Sequence, residues 1–372
     1  MSTTVDSDWR LGVTRTVSWD YRRTFLARGF GMHLETAASA PSPTWFLAEG
    51  STVLGFDLFY LLQNPQSTAT QATVRFLLPS GQTISRTYEL APGSRTTVYV
   101  NDVPGLEETD VAGQITAAAP IIVERAMYRS SPAEPLALGH ASMGVPAAAT
   151  EWFLAEGATG AFFDLYVLVA NPSAVDADVT ARFAKPDGSI VTRRYLVAAH
   201  SRHSIHVDGI RELGNSAVAT TVTSTNAVPI VVERSMYWPG GFFDYYEAHS
   251  SAGSTTTARR WVVAATDHNE LRNVRSFVLI ANTENRPGTA RLTVLFPAPI
   301  PIAAPIEIAL PANSRTTVPV PGGQLVATGF GVLVESVGPT PVELVVESAV
   351  YWTSTGGPIW NAGGNALATP LP

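Results

Sequence analysis

The stretch Trp45-Phe46-Leu47-Ala48-Glu49-Gly50 decides the fold. It returns intact as Trp152-Phe153-Leu154-Ala155-Glu156-Gly157, and worn as Trp261-Val262-Val263-Ala264-Ala265-Thr266. A hexapeptide repeated at domain-sized intervals marks tandem duplicated modules. The chain has 372 residues, a length that suits two or three domains. Modules of about 100 residues are large enough to close their own cores.

The flanks repeat in the same order. An apolar run follows each hexapeptide: Phe56 to Leu62, Phe163 to Val169 and Phe277 to Ala281. Asn64-Pro65, Asn171-Pro172 and Asn282 end these runs. Next come strands that alternate apolar and polar residues, such as Val74 and Phe76 against Thr73 and Arg75. Ser94-Arg95-Thr96-Thr97-Val98 recurs as Ser201-Arg202-His203-Ser204-Ile205 and Ser314-Arg315-Thr316-Thr317-Val318. A closing strand appears as Val123 to Tyr128, Val232 to Tyr237 and Val346 to Tyr351. The period is 2 and no stretch has a convincing helical period. Together with 29 glycines and 27 prolines, this predicts an all-β chain of three tandem immunoglobulin-like antiparallel β-sandwich modules. Their expected spans are 44–150, 151–259 and a divergent 260–372. A barrel or a propeller is the alternative. The propeller is set aside because three four-stranded blades are too few and each module is too long.

Residues 1–43 read as a partial module, the terminal strands of a preceding repeat. Val13 to Trp19 lines up with Val232 to Trp238. Either the chain starts inside a repeat, or these strands complete a neighbour's sheet.

The hexapeptide, the Asn-Pro turn, the Ser-Arg-Thr-Thr-Val strand and the Val-Glu-Arg-Ala-Met-Tyr strand together resemble an uncharacterised repeat of secreted and surface-attached bacterial proteins, frequent in actinobacteria. The resemblance covers the chain from about residue 11. It implies an extracellular or cell-surface tandem β-sandwich without catalytic residues. The third module departs from the pattern at Ala265, Asn273 and Ser348.

A net charge of −7 and a sequence pI of about 5.5 oppose binding to nucleic acid or an anionic membrane. There is no cysteine, so disulfides, thiolate zinc sites and cysteine nucleophiles are excluded. The segment Met1 to Trp9 is polar and shows no signal peptide, and no run is long enough to span a membrane.

A histidine stands twelve positions before each hexapeptide tryptophan: His33, His140 and His249. Glu49 and Glu156 follow the first two tryptophans by four positions, Asp57 and Asp164 by twelve. His33, Glu49 and Asp57, and likewise His140, Glu156 and Asp164, are candidate ligand sets for a divalent metal. The preferred account is a hydrogen-bonded junction between modules with no cofactor. Glu124 and Glu233 are expected to pair with Arg95 or Arg202 across a sheet. His200, His203 and His206 resemble a metal tract, but on a strand His203 faces away from the other two. Gly139 to Gly144 resembles a hydrolase elbow with one residue too many.

The aromatics Trp238, Phe242, Phe243, Tyr245 and Tyr246 are the candidate ligand-binding set, because exposed rings stack on sugars. Packing within a module or across a junction is preferred. The expectation is a non-catalytic extracellular structural, adhesion or spacer protein. A carbohydrate-binding array at the cell surface is the alternative. Cell-wall or extracellular polysaccharide, or protein, are the expected partners.

Overall fold

The computed structural model describes residues 2–9, 11–22, 28–130, 138–241, 244–269, 273–297, 304–320, 329–354 and 357–372. Among these there is no α-helix, and the strands all pair antiparallel.

The chain opens with β1 (Thr14–Arg22) and β2 (Arg28–Thr36), a two-stranded sheet. The first unit follows: β3 (Ser42–Leu47), β4 (Phe56–Asn64), β5 (Thr70–Leu77), β6 (Thr83–Leu90), β7 (Ser94–Tyr99), β8 (Ala112–Arg129) and β9 (Leu138–Met143). The 18-residue β8 serves two sheets. Its first half pairs with β3 and β5, and its second half with β4 and β9.

The second unit holds β10 (Glu151–Leu154), β11 (Asp164–Asn171), β12 (Ala177–Ala184), β13 (Ile190–Val197), β14 (Ser201–His206), β15 (Ala219–Ser224), β16 (Val231–Trp238) and β17 (Glu247–Ala252). Its sheets run β10-β15-β12-β13 and β14-β11-β16-β17. The third unit holds β18 (Arg260–Thr266), β19 (Val274–Asn282), β20 (Gly288–Leu295), β21 (Ile306–Leu310), β22 (Ser314–Pro319), β23 (Phe330–Val337), β24 (Leu344–Trp352), β25 (Ala362–Leu367) and β26 (Thr369–Leu371). Its sheets run β21-β20-β23-β18-β26 and β22-β19-β24-β25.

The repeated residues explain why these strands form. Trp45, Trp152 and Trp261 are buried, and each indole N–H donates to a carbonyl of its unit's own sheet: Ile121 O at 2.8 Å, Ile230 O at 2.9 Å and Leu344 O at 3.0 Å. A buried indole needs such a partner, and here it ties the first strand to the unit's closing stretch. The asparagine of the Asn-Pro turn does similar work. Asn64 Nδ2 donates to Thr68 O, Leu90 O and Ala91 O, and Asn171 Nδ2 to Val175 O, Val197 O and Ala198 O. One amide thereby ties the end of a core strand to the loop that follows it and to the end of β6 or β13.

Alternation places the core between the sheets. In the second unit Trp152, Val179 and Val222 meet Leu165, Val167 and Ile205 in one cluster. The clusters also run across units: Tyr237, Tyr245 and Ala248 belong to the core of the first unit.

The small sheets are arranged like a four-bladed propeller. Strands β2, β9, β17 and β25 line the axis, where β2 packs on β9 and β25, and β17 packs on the same two. This arrangement corrects the reason given for setting a propeller aside. Three hexapeptides suggest three places, but the β1–β2 hairpin stands at a fourth without carrying one.

Candidate functional site at the unit junctions

Register makes the four places comparable residue by residue. Ser18 pairs with Met32, Tyr128 with Gly139, Tyr237 with Ala248 and Tyr351 with Gly363. His33, His140, His249 and Gly364 therefore occupy one equivalent position. So do Arg15, Arg125, Arg234 and Ser348, and so do Thr14, Glu124, Glu233 and Glu347.

Between the first and second units, the Ala48 and Glu49 amides donate to the Glu233 carboxylate at 3.1 and 3.2 Å. Arg125 contacts the same carboxylate and donates to Glu49 O at 3.0 Å and Ser250 Oγ at 2.7 Å. Ser235 Oγ donates to Glu49 Oε2 at 3.0 Å, and Arg202 Nη1 to Gly50 O at 2.5 Å. The hexapeptide of one unit is thus clasped by the closing strand and the Ser-Arg strand of the next.

The junction between the second and third units repeats the pattern. The Ala155 and Glu156 amides donate to Glu347 at 2.7 and 3.3 Å. Arg234 Nη2 donates to Glu347 at 3.0 Å and to Asn365 Oδ1 at 2.8 Å. The Glu156 carboxylate accepts from the Tyr351 hydroxyl at 3.2 Å and from Asn365 Nδ2 at 2.6 Å. His249 Nε2 lies 3.6 Å from it.

Between the hairpin and the first unit the motif is reduced: Arg15 lies 2.9 Å from Glu124. Trp19 sits edge-on to Tyr128 at 5.7 Å, as Trp238 does to Tyr351 at 5.5 Å. The fourth junction, from the third unit back to the hairpin, replaces the set from both sides. Ser348 stands for the arginine, Thr14 for the glutamate, Gly364 for the histidine and Ser18 for the tyrosine. An apolar seam of Met32, Leu34, Val350, Ala362 and Ala366 takes its place. A Cβ at Gly364 would lie 2.6 Å from the Leu34 amide nitrogen, so only glycine permits this approach.

Electrostatics follow from burial. Desolvation raises the carboxyls of Glu49 and Glu156, against the pull of the nearby arginines. Burial lowers His140 and His249 well below the usual imidazole range, helped by Arg125 and Arg234 respectively. His33 is lowered to about 4 by burial and by Arg15. On the axis, the fully buried Glu247 carboxylate accepts the amides of Met32 at 3.0 Å, Gly139 at 3.4 Å and Ala248 at 3.0 Å, and that of Gly363. These four amides are equivalent positions on the four axial strands. Burial still pushes its carboxyl well up, against those donors.

The predicted metal sets are not brought together. His33 packs beside Trp19, Glu49 lies in its junction, and Asp57 accepts the Tyr99 hydroxyl at 2.5 Å. His140 is buried at the ring of Tyr237, Glu156 meets His249 instead, and Asp164 accepts the Tyr245 hydroxyl and the Gly241 amide. The offset from histidine to the following hexapeptide crosses a unit boundary, whereas the observed pair joins the start and end of one unit. Among the described residues, the group with metal-ligand spacing is Asp164, His206 and Asp208, whose ligand atoms lie within 4.8 Å of one another. Sequence reading picked out Asp164 and His206 separately and missed Asp208. His200 and His203 stay apart from His206, on Pro172 O and beside Tyr195.

The expected pairing of Glu124 and Glu233 with Arg95 or Arg202 is also corrected. Their partners are Arg15 and Arg125, because each carboxylate faces the preceding unit rather than its own sheet. Ser142 lies in strand β9, so Gly139 to Gly144 forms no strand-turn-helix elbow.

Nor do Trp238 and Tyr245 offer an open sugar platform. Trp238 is fully buried and donates to Trp360 O at 2.6 Å. Tyr245 is buried and stacks on Tyr237 at 4.9 Å. Tyr246 donates to Ile359 O at 2.6 Å. Stacking on a sugar needs an open ring face, and the junction covers those of Trp238 and Tyr245. Phe242 and Phe243 lie outside the described residues.

No family model matches the chain, and no curated protein matches it. Among solved structures, one titled crystal structure of Thermotoga maritima 1070 is similar at 10% identity and a TM-score of 0.27, covering 28% of this chain and 94% of that one. A tetra-tandem repeat from the extending region of a large adhesion protein is similar at 11% identity and a TM-score of 0.14, covering 100% of this chain and 85% of that one. Neither likeness reaches the level from which a shared fold or function follows.

Proposed function

We propose that the protein is a non-catalytic structural, adhesion or spacer protein outside the cell, with its repeat units folded as immunoglobulin-like β-sandwiches. The observation that carries this reading is where the repeated motif spends its chemistry. Glu49 and Glu156, and Arg125, Arg234, Glu233 and Glu347 of the closing strands, are bonded between units and buried. A catalytic acid or base needs its reacting atom within reach of a substrate. Here the repeated charges instead fix one unit to the next, as a rigid presenting scaffold requires. Polysaccharide or protein on a cell surface is the partner class that suits such a scaffold.

A glycan array and pull-down on purified bacterial cell walls test the adhesive reading, with binding expected to one polysaccharide or protein class. Turnover of generic ester, peptide or glycoside substrates, abolished in a folded Glu156→Gln variant, overturns the non-catalytic reading.

A further inference from the structure

The fourth place in the ring is half filled, and the other three show what is missing. The strands equivalent to β1 are the second half of β8, β16 and β24. Each is paired on its inner side with β9, β17 or β25, and on its outer side with β4, β11 or β19. The outer register is the same every time. Phe59 faces Ala126, Tyr166 faces Ser235 and Phe277 faces Ala349. Leu61, Leu168 and Leu279 face Glu124, Glu233 and Glu347. Strand β1 pairs with β2 alone among the described residues. Arg15 to Ser18 are exposed, where Arg234 to Tyr237 of β16 are buried.

Two charged residues of the first unit carry the same signature. Glu233 and Glu347 each accept two backbone amides from the preceding unit's hexapeptide. Glu124, their equivalent, has Arg15 as its partner and receives no such amides among the described residues. Arg202 and Arg315 are buried, and Arg202 holds Gly50 O of the preceding hexapeptide. Arg95, their equivalent, is exposed. An open strand edge, a carboxylate without its amides and an uncovered guanidinium thus mark the places that one hexapeptide and one core strand occupy elsewhere.

We propose that this face binds the front half of a further unit of the same repeat. Its Phe-Asp-Leu-type strand adds antiparallel to β1, and its hexapeptide lies over Glu124 and Arg95. Strand addition draws affinity from main-chain hydrogen bonds and specificity from alternate side chains. A second copy of this chain does not fit, because its own core strands β4, β11 and β19 are already paired on both sides. The inference is independent of cellular location and of the non-catalytic reading.

The absence of cysteine makes the test direct. A synthetic peptide with the sequence of residues 44–64 is added to the full chain carrying Thr16→Cys. Register predicts a disulfide when the peptide carries Phe59→Cys, formed preferentially over Tyr60→Cys. A fluorescent version of the unmodified peptide should bind the wild-type chain saturably. Arg95→Ala or Glu124→Gln, exposed or half-buried changes checked by melting temperature, should weaken it by about tenfold or more, the loss expected for a charge-assisted hydrogen bond. Absent binding, equal cross-linking at both cysteine positions, or no effect of either variant overturns the proposal. So does a Thr16-to-Thr16 dimer formed without peptide, which assigns the edge to a second copy.

Discussion

The Arg125 guanidinium of the first unit touches the Glu233 carboxylate of the second, and both side chains are fully buried. Removing one partner strands a charge away from water, at a cost of about 3–5 kcal/mol. Arg125→Met alone and Glu233→Gln alone should each lower the urea midpoint strongly. The double variant should lose much less than the sum. Additive losses in this cycle would show that the two side chains are not coupled across the junction.

Glu247 makes a separable prediction. Glu247→Gln keeps one oxygen but turns an amide group towards N–H donors that also seek an acceptor. A cost of about 1.5–3 kcal/mol is expected for the lost charge-assisted bonds. Hydrogen exchange should report it locally, with the amides of Met32, Gly139 and Gly363 exchanging faster. Unchanged protection there would show that the carboxylate does not hold the axial strands.

Stability should bend with pH in two directions. His33 is lowered from 6.5 to about 4, so its contribution is present above 6.5 and is lost as pH falls towards 4. Glu35 is raised from 4.5 to about 8, chiefly by burial. Its contribution is present below 4.5 and is lost as pH rises towards 8. His33→Asn should flatten the acid limb of the melting curve, and Glu35→Gln the alkaline limb. A Glu35→Gln variant with an unchanged alkaline limb would remove that carboxyl as its cause.

The apolar fourth junction should accept its missing pair only when both halves arrive. Ser348→Arg alone buries a guanidinium opposite Thr14 and should destabilise. Adding Thr14→Glu should recover about 1 kcal/mol or more, since the partners are then those of the other junctions. Zero coupling in thermal melts would contradict the four-place equivalence.

What the sequence disclosed and what it hid divide along chain distance. Trp45, Asn64 and their copies bond within one unit, so repetition alone exposed their strands and turns. The ring depends on β1 and β2, which carry no hexapeptide, and nothing local in Met32 or Leu34 indicates that they close on Val350 and Ala366. Pairing was misread for the same reason. Glu233 sits next to Arg234 in sequence, and a cross-strand partner in its own sheet was the natural expectation, yet Arg125 reaches it from the unit before. Ala265 and Ser348 looked like wear in a divergent copy. Ser348 is better understood with Thr14, Ser18 and Gly364, which change on the other side of the same junction. Of the aromatic candidates, Trp238 and Tyr245 have the composition of a sugar platform but the burial of a core.

The axial carboxylate also limits how alike the units are able to be. Gly31, Leu138 and Ala362 occupy the positions equivalent to Glu247, as the pairings of Trp19, Arg129, Trp238 and Trp352 show. One carboxylate uses amides from all four strands, and four would converge on a single point with too few donors and mutually repelling charge. A perfectly symmetric ring with this plug is therefore excluded by counting. Divergence among the repeats is a condition of closure, and the copy that carries the glutamate sets the orientation of the other three.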